Sequence, residues 1–144
     1  MADLIFNKFG ERMGDSLIDM DADTFNCILL TDSYIPDATD ALLADLGQIG
    51  PPAISSIEAS GAGYTTRGQE LTGVIWNEAA GTVTFDADNP SWTSATFTCR
   101  YAVIFDETAA GDPLVCLFDF GSNQSVSNGT FTIQFNGSGI LSLS

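Results

Sequence analysis

From Thr82 to Leu143 apolar residues alternate with small polar ones in run after run. Phe97, Cys99, Tyr101, Val103 and Phe105 share one parity, with Thr96, Thr98, Arg100 and Ala102 on the other. Leu114, Cys116, Phe118 and Phe120 repeat the pattern, as do Phe131, Ile133 and Phe135 against Thr130, Thr132 and Gln134. Successive side chains of a strand point to opposite faces, so each run describes a strand with one buried side. Strands are therefore expected over 70–76, 82–86, 95–105 and 114–120, followed by a terminal hairpin of 130–135 against 140–143 around Asn136-Gly-Ser-Gly. Phe97, Tyr101, Val103, Phe118, Phe131 and Ile133 are the expected core between two sheets.

The N-terminal half is less regular. Residues 4–9 and 17–20 read as short strands around a turn-like 10–14, and 25–31 as a central strand because it is apolar on both faces. One helix is expected. Asp37 serves as its N-cap after Pro36, Ala38, Leu42 and Leu46 share a face, and Gly47 closes it. Gly50-Pro51-Pro52 breaks the chain, and Gly61 to Gly68 reads as a loop. Together these elements predict a mainly β protein: an antiparallel β-sandwich, jelly-roll-like, with one short helix. Residues 1–144 form a single domain in this reading, with 1–24 as an arm or edge-strand segment.

Composition narrows what such a scaffold does. Of 144 residues, 44% are hydrophobic and 16% charged, which is the balance of a folded chain. Nineteen acidic residues against four basic ones give a net charge of −15. Lys8, Arg12, Arg67 and Arg100 cannot make the basic stripe that phosphates require, so nucleic acid is not an expected partner. Anionic membrane surfaces are disfavoured for the same reason, no stretch has the length of a membrane span, and the N-terminus does not read as a signal peptide. Synthesis in a reducing cytoplasm is the expectation. Cys27, Cys99 and Cys116 fall on apolar faces, as free buried thiols would. The glycosylation-like triplets at Asn123, Asn128 and Asn136 read as turn chemistry.

Candidate chemistry is sparse. The chain has no histidine and Lys8 is its only lysine, so a nucleophilic serine or cysteine lacks an activating base. Asp19-Met-Asp21-Ala-Asp23 begins like a calcium loop, but Thr24 and Leu30 stand where the glycine and the bidentate glutamate are needed. Asp86-Ala-Asp88-Asn89 is a similar acidic turn. A glycosidase needs two converging carboxylates, and most acidic residues here read as solvated loop positions. The glycines between Gly61 and Gly68 are not followed by a lysine-bearing helix start, so no phosphate loop is predicted. Trp76, Trp92, Tyr34 and Tyr64 could build an aromatic platform for a sugar or a partner, although core positions are the commoner fate of such residues. No metal or other cofactor is expected.

One resemblance runs through these residues. Ile28-Leu-Leu-Thr-Asp-Ser-Tyr-Ile-Pro36, Glu58-Ala-Ser-Gly-Ala-Gly-Tyr-Thr65 and Thr82-Val-Thr-Phe-Asp-Ala-Asp88 resemble a family of small tailed-phage proteins. So do Trp92-Thr-Ser-Ala-Thr-Phe-Thr98, Arg100-Tyr-Ala-Val-Ile104 and Asp119-Phe-Gly-Ser-Asn-Gln-Ser-Val-Ser127. The resemblance implies a non-enzymatic virion protein, a capsid decoration or cement protein on the outer shell, with the major capsid protein as partner and a homotrimer as the assembly. A tail or head-fibre component and a carbohydrate-binding β-sandwich module are the alternatives. Tyr64, Arg67 and Trp92, on or beside loops, are the candidate contact residues.

Overall fold

The longest alternating runs become the longest strands of the computed structural model, which describes residues 1–47 and 56–144. β6 (Ser91–Asp106) and β7 (Leu114–Thr132) form an antiparallel hairpin. β2 (Phe25–Leu30) pairs with the far half of β6, from Phe25 opposite Asp106 to Leu30 opposite Tyr101. β1 (Leu4–Ile5) flanks β7 and β3 (Gln69–Glu70) flanks β2, giving a sheet of order β1-β7-β6-β2-β3. β4 (Ile75–Ala79), β5 (Thr82–Asp86) and β8 (Leu141–Leu143) make a second antiparallel sheet of order β4-β5-β8. The protein is a mainly β, two-sheet sandwich. Its five-plus-three strand order differs from the paired Greek keys of a jelly roll.

Around β2 the larger sheet is buried on both faces. Phe25, Cys27 and Leu29 point to the core shared with Phe85 and Leu141 of the smaller sheet. Ile28 and Leu30 point the other way, to a second core with Phe6, Tyr34, Leu43, Leu46 and Ile57. This is why β2 is apolar at every position but Asn26, and why all six of its residues are buried. All three cysteines lie in the first core as free thiols, their ionisation disfavoured by burial.

The single face expected for β6 breaks at Arg100. Trp92, Ala95, Phe97 and Cys99 face the inter-sheet core, and Ala102 and Ile104 continue it. Tyr101, Val103 and Phe105 face the second core instead. Pairing is irregular at the switch: Cys99 stands opposite Gln124 but Tyr101 opposite Asp119, so Arg100 confronts the segment 120–123. A bulge reassigns every later side chain to the opposite face. Arg100 pins the irregularity by donating through Nε to Asp119 Oδ1 at 2.7 Å, and Gly121 N–H donates to the same oxygen at 2.8 Å. Of the expected core, Phe97, Tyr101, Val103 and Ile133 are buried, while Phe118 and Phe131 are only half-buried.

Other expectations move. The one α-helix among the described residues, α1 (Lys8–Gly14), forms where a strand end and a turn were expected. It buries Phe9, an Arg12 guanidinium hydrogen bond to the Ala41 carbonyl ties it down, and tertiary docking overrides its two glycines. Residues 17–20 are not a strand, though Ile18 and Met20 are buried. The helix expected from Asp37 shrinks to a 3-10 turn, Leu43–Gly47. Asp37 accepts from the Thr39 N–H and Asp45 from those of Ala41 and Leu42, so aspartates hold turns where a helix would need free backbone.

The expected 70–76 strand splits between the sheets. Leu71 N–H still donates to Phe25 O, but the chain then crosses over at Gly73. Gly73 has φ +60°, and a Cβ there would come within 2.6 Å of the Asp88 carboxylate. The terminal hairpin does not form. Ile133 N–H donates to Pro90 O and Ile140 N–H to Phe85 O, so β8 joins β5. Burying Ile133, Phe135, Ile140 and Leu141 between the sheets wins over a local turn. The break at Gly50-Pro51-Pro52 lies outside the described residues.

Phe85 is fully buried and packs edge-on against Phe25 at 5.2 Å between ring centroids. Phe85→Ala should therefore cost about 3–5 kcal/mol. Phe131→Ala removes a half-exposed ring and should cost clearly less. Denaturant unfolding of both variants checks the order, and equal losses would contradict the packing described.

Candidate functional site

The loop 61–68 presents two of the three expected contact residues, and it is docked on the sheet. Gly61 (φ +144°) lies so close to β6 that a Cβ would sit 2.0 Å from Thr96 O. Ala62 bridges Thr96, which covers the side of β6 that β2 does not reach. The Tyr64 hydroxyl donates to Glu58 Oε1 at 2.8 Å and accepts from the Leu29 N–H at 3.1 Å. Glu58 Oε1 also accepts the Arg67 N–H at 2.5 Å. Glu58 is itself buried, and desolvation raises its pKa against the lowering effect of those donors.

Arg67 reaches outward from this knot. Its guanidinium lies 5.3 Å from the Phe105 ring centroid and pairs with Asp112 at 3.2 Å and Glu107 at 3.5 Å. A cavity of ≈ 210 Å³ lies beside it, lined by Ile28, Leu42, Leu43, Glu58 and Arg67 among others. Trp92 is a core residue at 4% exposure, stacked near Tyr64 and Phe131. So Tyr64, Arg67 and Trp92 cluster around one loop, but Trp92 is buried and the Arg67 side chain is only 41% exposed. The aromatic platform is dispersed: Tyr34 is buried on the opposite core, hydrogen-bonded to Asp40, and Trp76 sits alone on β4.

Trp76 contributes to a second recess of ≈ 570 Å³ with Met13, Ile18, Asp19, Met20 and Asp21. The acidic turn there is self-satisfied. Asp19 Oδ1 accepts the N–H groups of Asp21 and Ala22, and Asp23 Oδ2 that of Asp19. Among the described residues no three His, Cys, Asp or Glu side chains are grouped to hold a metal ion. A third, aromatic groove of ≈ 360 Å³ runs beside β7, lined by Phe118, Phe120, Phe131 and Ile133 with Asp3 and Asp119 at its rim.

Two buried carboxylates were not singled out from sequence. Glu58 sits between the buried Ile57 and Ala59, and Asp106 ends the buried run 101–105 of β6. An acid adjoining an apolar run was the available signal, but many acidic turns adjoin strands in this chain. Asp106 is wholly buried. Its Oδ1 accepts the N–H groups of Thr108 and Ala109, while Oδ2 has no partner. Burial foremost, and then the neighbouring Asp23, push its carboxyl up to about 6.

With the geometry in place, comparison with known protein families, curated proteins and solved structures finds no match to this chain.

The pKa of Asp106 is raised in the fold, so its favourable contribution is complete below the unfolded value of 3.8 and is lost as pH rises through about 6. Asp106→Asn keeps an acceptor for Thr108 and Ala109 but does not titrate. The stability of the wild type relative to this variant should fall between pH 4 and 6 and level off above. Denaturant titrations across that range check it; a difference that grows with pH would contradict the assignment.

Proposed function

We propose that the chain is a non-enzymatic structural protein of a tailed-phage virion that binds the outside of the capsid, through the major capsid protein, and stabilises the shell. The observation that carries this reading is where the polar chemistry goes. Glu58, Tyr64 and Asp106 commit polar atoms to internal hydrogen bonds, whereas the outer face of the β6–β7 hairpin distal to the Arg100–Asp119 pair offers a neutral ladder of hydroxyls and amides. Thr98 meets Ser125 at 2.8 Å, Ser91 meets Thr132 at 2.5 Å, and the Asn128 N–H donates to Thr96 Oγ1 at 3.0 Å. A rigid, small-residue surface of this kind suits repeated contact with a protein lattice. The resemblance of residues 28–36, 58–65, 82–88, 92–98, 100–104 and 119–127 to small tailed-phage proteins supports the same reading.

A protein with affinity for the assembled lattice and little for free subunits favours the shell by mass action. Particles lacking it should release DNA at a lower temperature than complete particles, and adding the purified protein back should restore the difference. The purified protein should show no hydrolase activity and no retention on DNA. Imaging that places it along the tail or on a fibre would overturn the shell assignment, and its absence from purified particles would overturn the virion assignment.

The recess beside Trp76, with Asp19 and Asp21 at its edge, favours a second reading, a carbohydrate-binding module. An indole face against sugar C–H groups, with carboxylates accepting from hydroxyls, is suitable chemistry. Glycan-array binding that is lost in Trp76→Ala would favour it.

A further inference from the structure

A sheet edge carries unpaired N–H and C=O groups, and proteins blunt such edges by keeping them short or charged. Three edges of this fold follow that rule: β3 has two residues, β8 has three, and β4 carries Glu78. The outer edge of β7 does not. β1 covers it only opposite Cys116 and Leu117, and beyond Asp119 no described strand pairs with that side. Asp119 is also the last charged residue of the chain. From Phe120 to Ser144 there is none, although the whole chain carries −15.

We propose that this edge pairs, antiparallel, with the same edge of a second copy, so that the larger sheets of two protomers continue into one another across a two-fold axis. Charge selects the occupant. Over most other surfaces two copies would set carboxylates against carboxylates, whereas along 120–132 they meet without an opposed charge. The strip offers no charge with which to recruit a basic or acidic strand of another protein, whereas a second copy presents the same neutral strand. The side chains are also self-complementary. On the inner face each copy brings the half-buried rings of Phe118, Phe120 and Phe131, and a two-fold normal to the continued sheet sets the two sets of rings side by side on the same face. On the outer face Ser125, Ser127 and Thr130 would extend the hydroxyl ladder already present between β6 and β7.

This pairing is independent of shell binding, and its two-fold symmetry stands apart from the trimer that the resemblance implies. Sedimentation equilibrium of the full chain should give twice the 15.2 kDa of one protomer. The association should tighten as added salt screens the carboxylates around the edge. Ser127→Asp and Thr130→Asp, both at exposed positions, should each give a monomer with an unchanged circular dichroism spectrum. Mixing Ser127→Asp with Ser127→Lys should restore a mixed dimer, which a merely misfolded variant could not do. A wild-type monomer at every concentration, a trimer, or a dimer that persists in both aspartate variants would overturn the proposal.

Discussion

The β6–β7 hairpin has to serve two hydrophobic cores, and the arrangement of the molecule follows from how it does so. Near the turn between these strands, β6 is sandwiched between the smaller sheet and the layer of Phe6, Tyr34, Leu43, Leu46 and Ile57, so both faces are apolar. At the distal end only one face is covered, and the other carries Thr96, Thr98 and Ser125. The irregular pairing at Arg100 joins the two regimes. Without it the distal parity would run on, and Tyr101 and Val103 would exchange cores with Ala102 and Ile104. Such a swap would place large side chains where alanine now fits, and cores packed to crystal density do not absorb it.

Electrostatics follows the same division. The acidic residues populate the turns and short elements, and several act locally: Asp19, Asp37 and Asp45 each accept from nearby backbone N–H groups. Glu58 and Asp106 do this under burial, where the raised pKa records that desolvation outweighs the hydrogen bonds they receive. Glu58 holds the loop that covers one side of β6, and Asp106 shapes the turn after it. The distal part of β7 and the C-terminal segment, 120–144, carry no charged side chain.

The strands of the C-terminal half were legible because alternation there persists over many residues, as at Thr82–Asp86, and a half-buried strand needs little more than that pattern. The central position of 25–31 was legible for a related reason: continuous apolarity leaves no face for water. The contact residues were less legible. Tyr64 and Trp92 are aromatic and lie near glycine-rich turns, as surface anchors often do, yet their rings stack into the Phe97 and Phe131 cluster. The half-buried Phe118 and Phe120 looked like plain core, because periodicity reports which face a side chain takes and not how far the covering layer extends.

By itself, then, the sequence determined the fold class, the alternating strands within 82–86, 95–105 and 114–120, the buried free cysteines and an acidic composition without a basic stripe, since each depends on local periodicity or on composition. Tertiary structure decided the change of face at Arg100, the crossing at Gly73 and the partner of the last strand, because each sets a local preference against a distant apolar surface. The same competition turned residues 8–14 into a helix despite two glycines, and reduced the helix after Asp37 to a single 3-10 turn. It also left the β7 edge beyond Asp119 without a partner among the described strands, because β1 is short and only chain packing shows where it ends. Local pattern reports how a segment folds, and the free energy of burial decides against what.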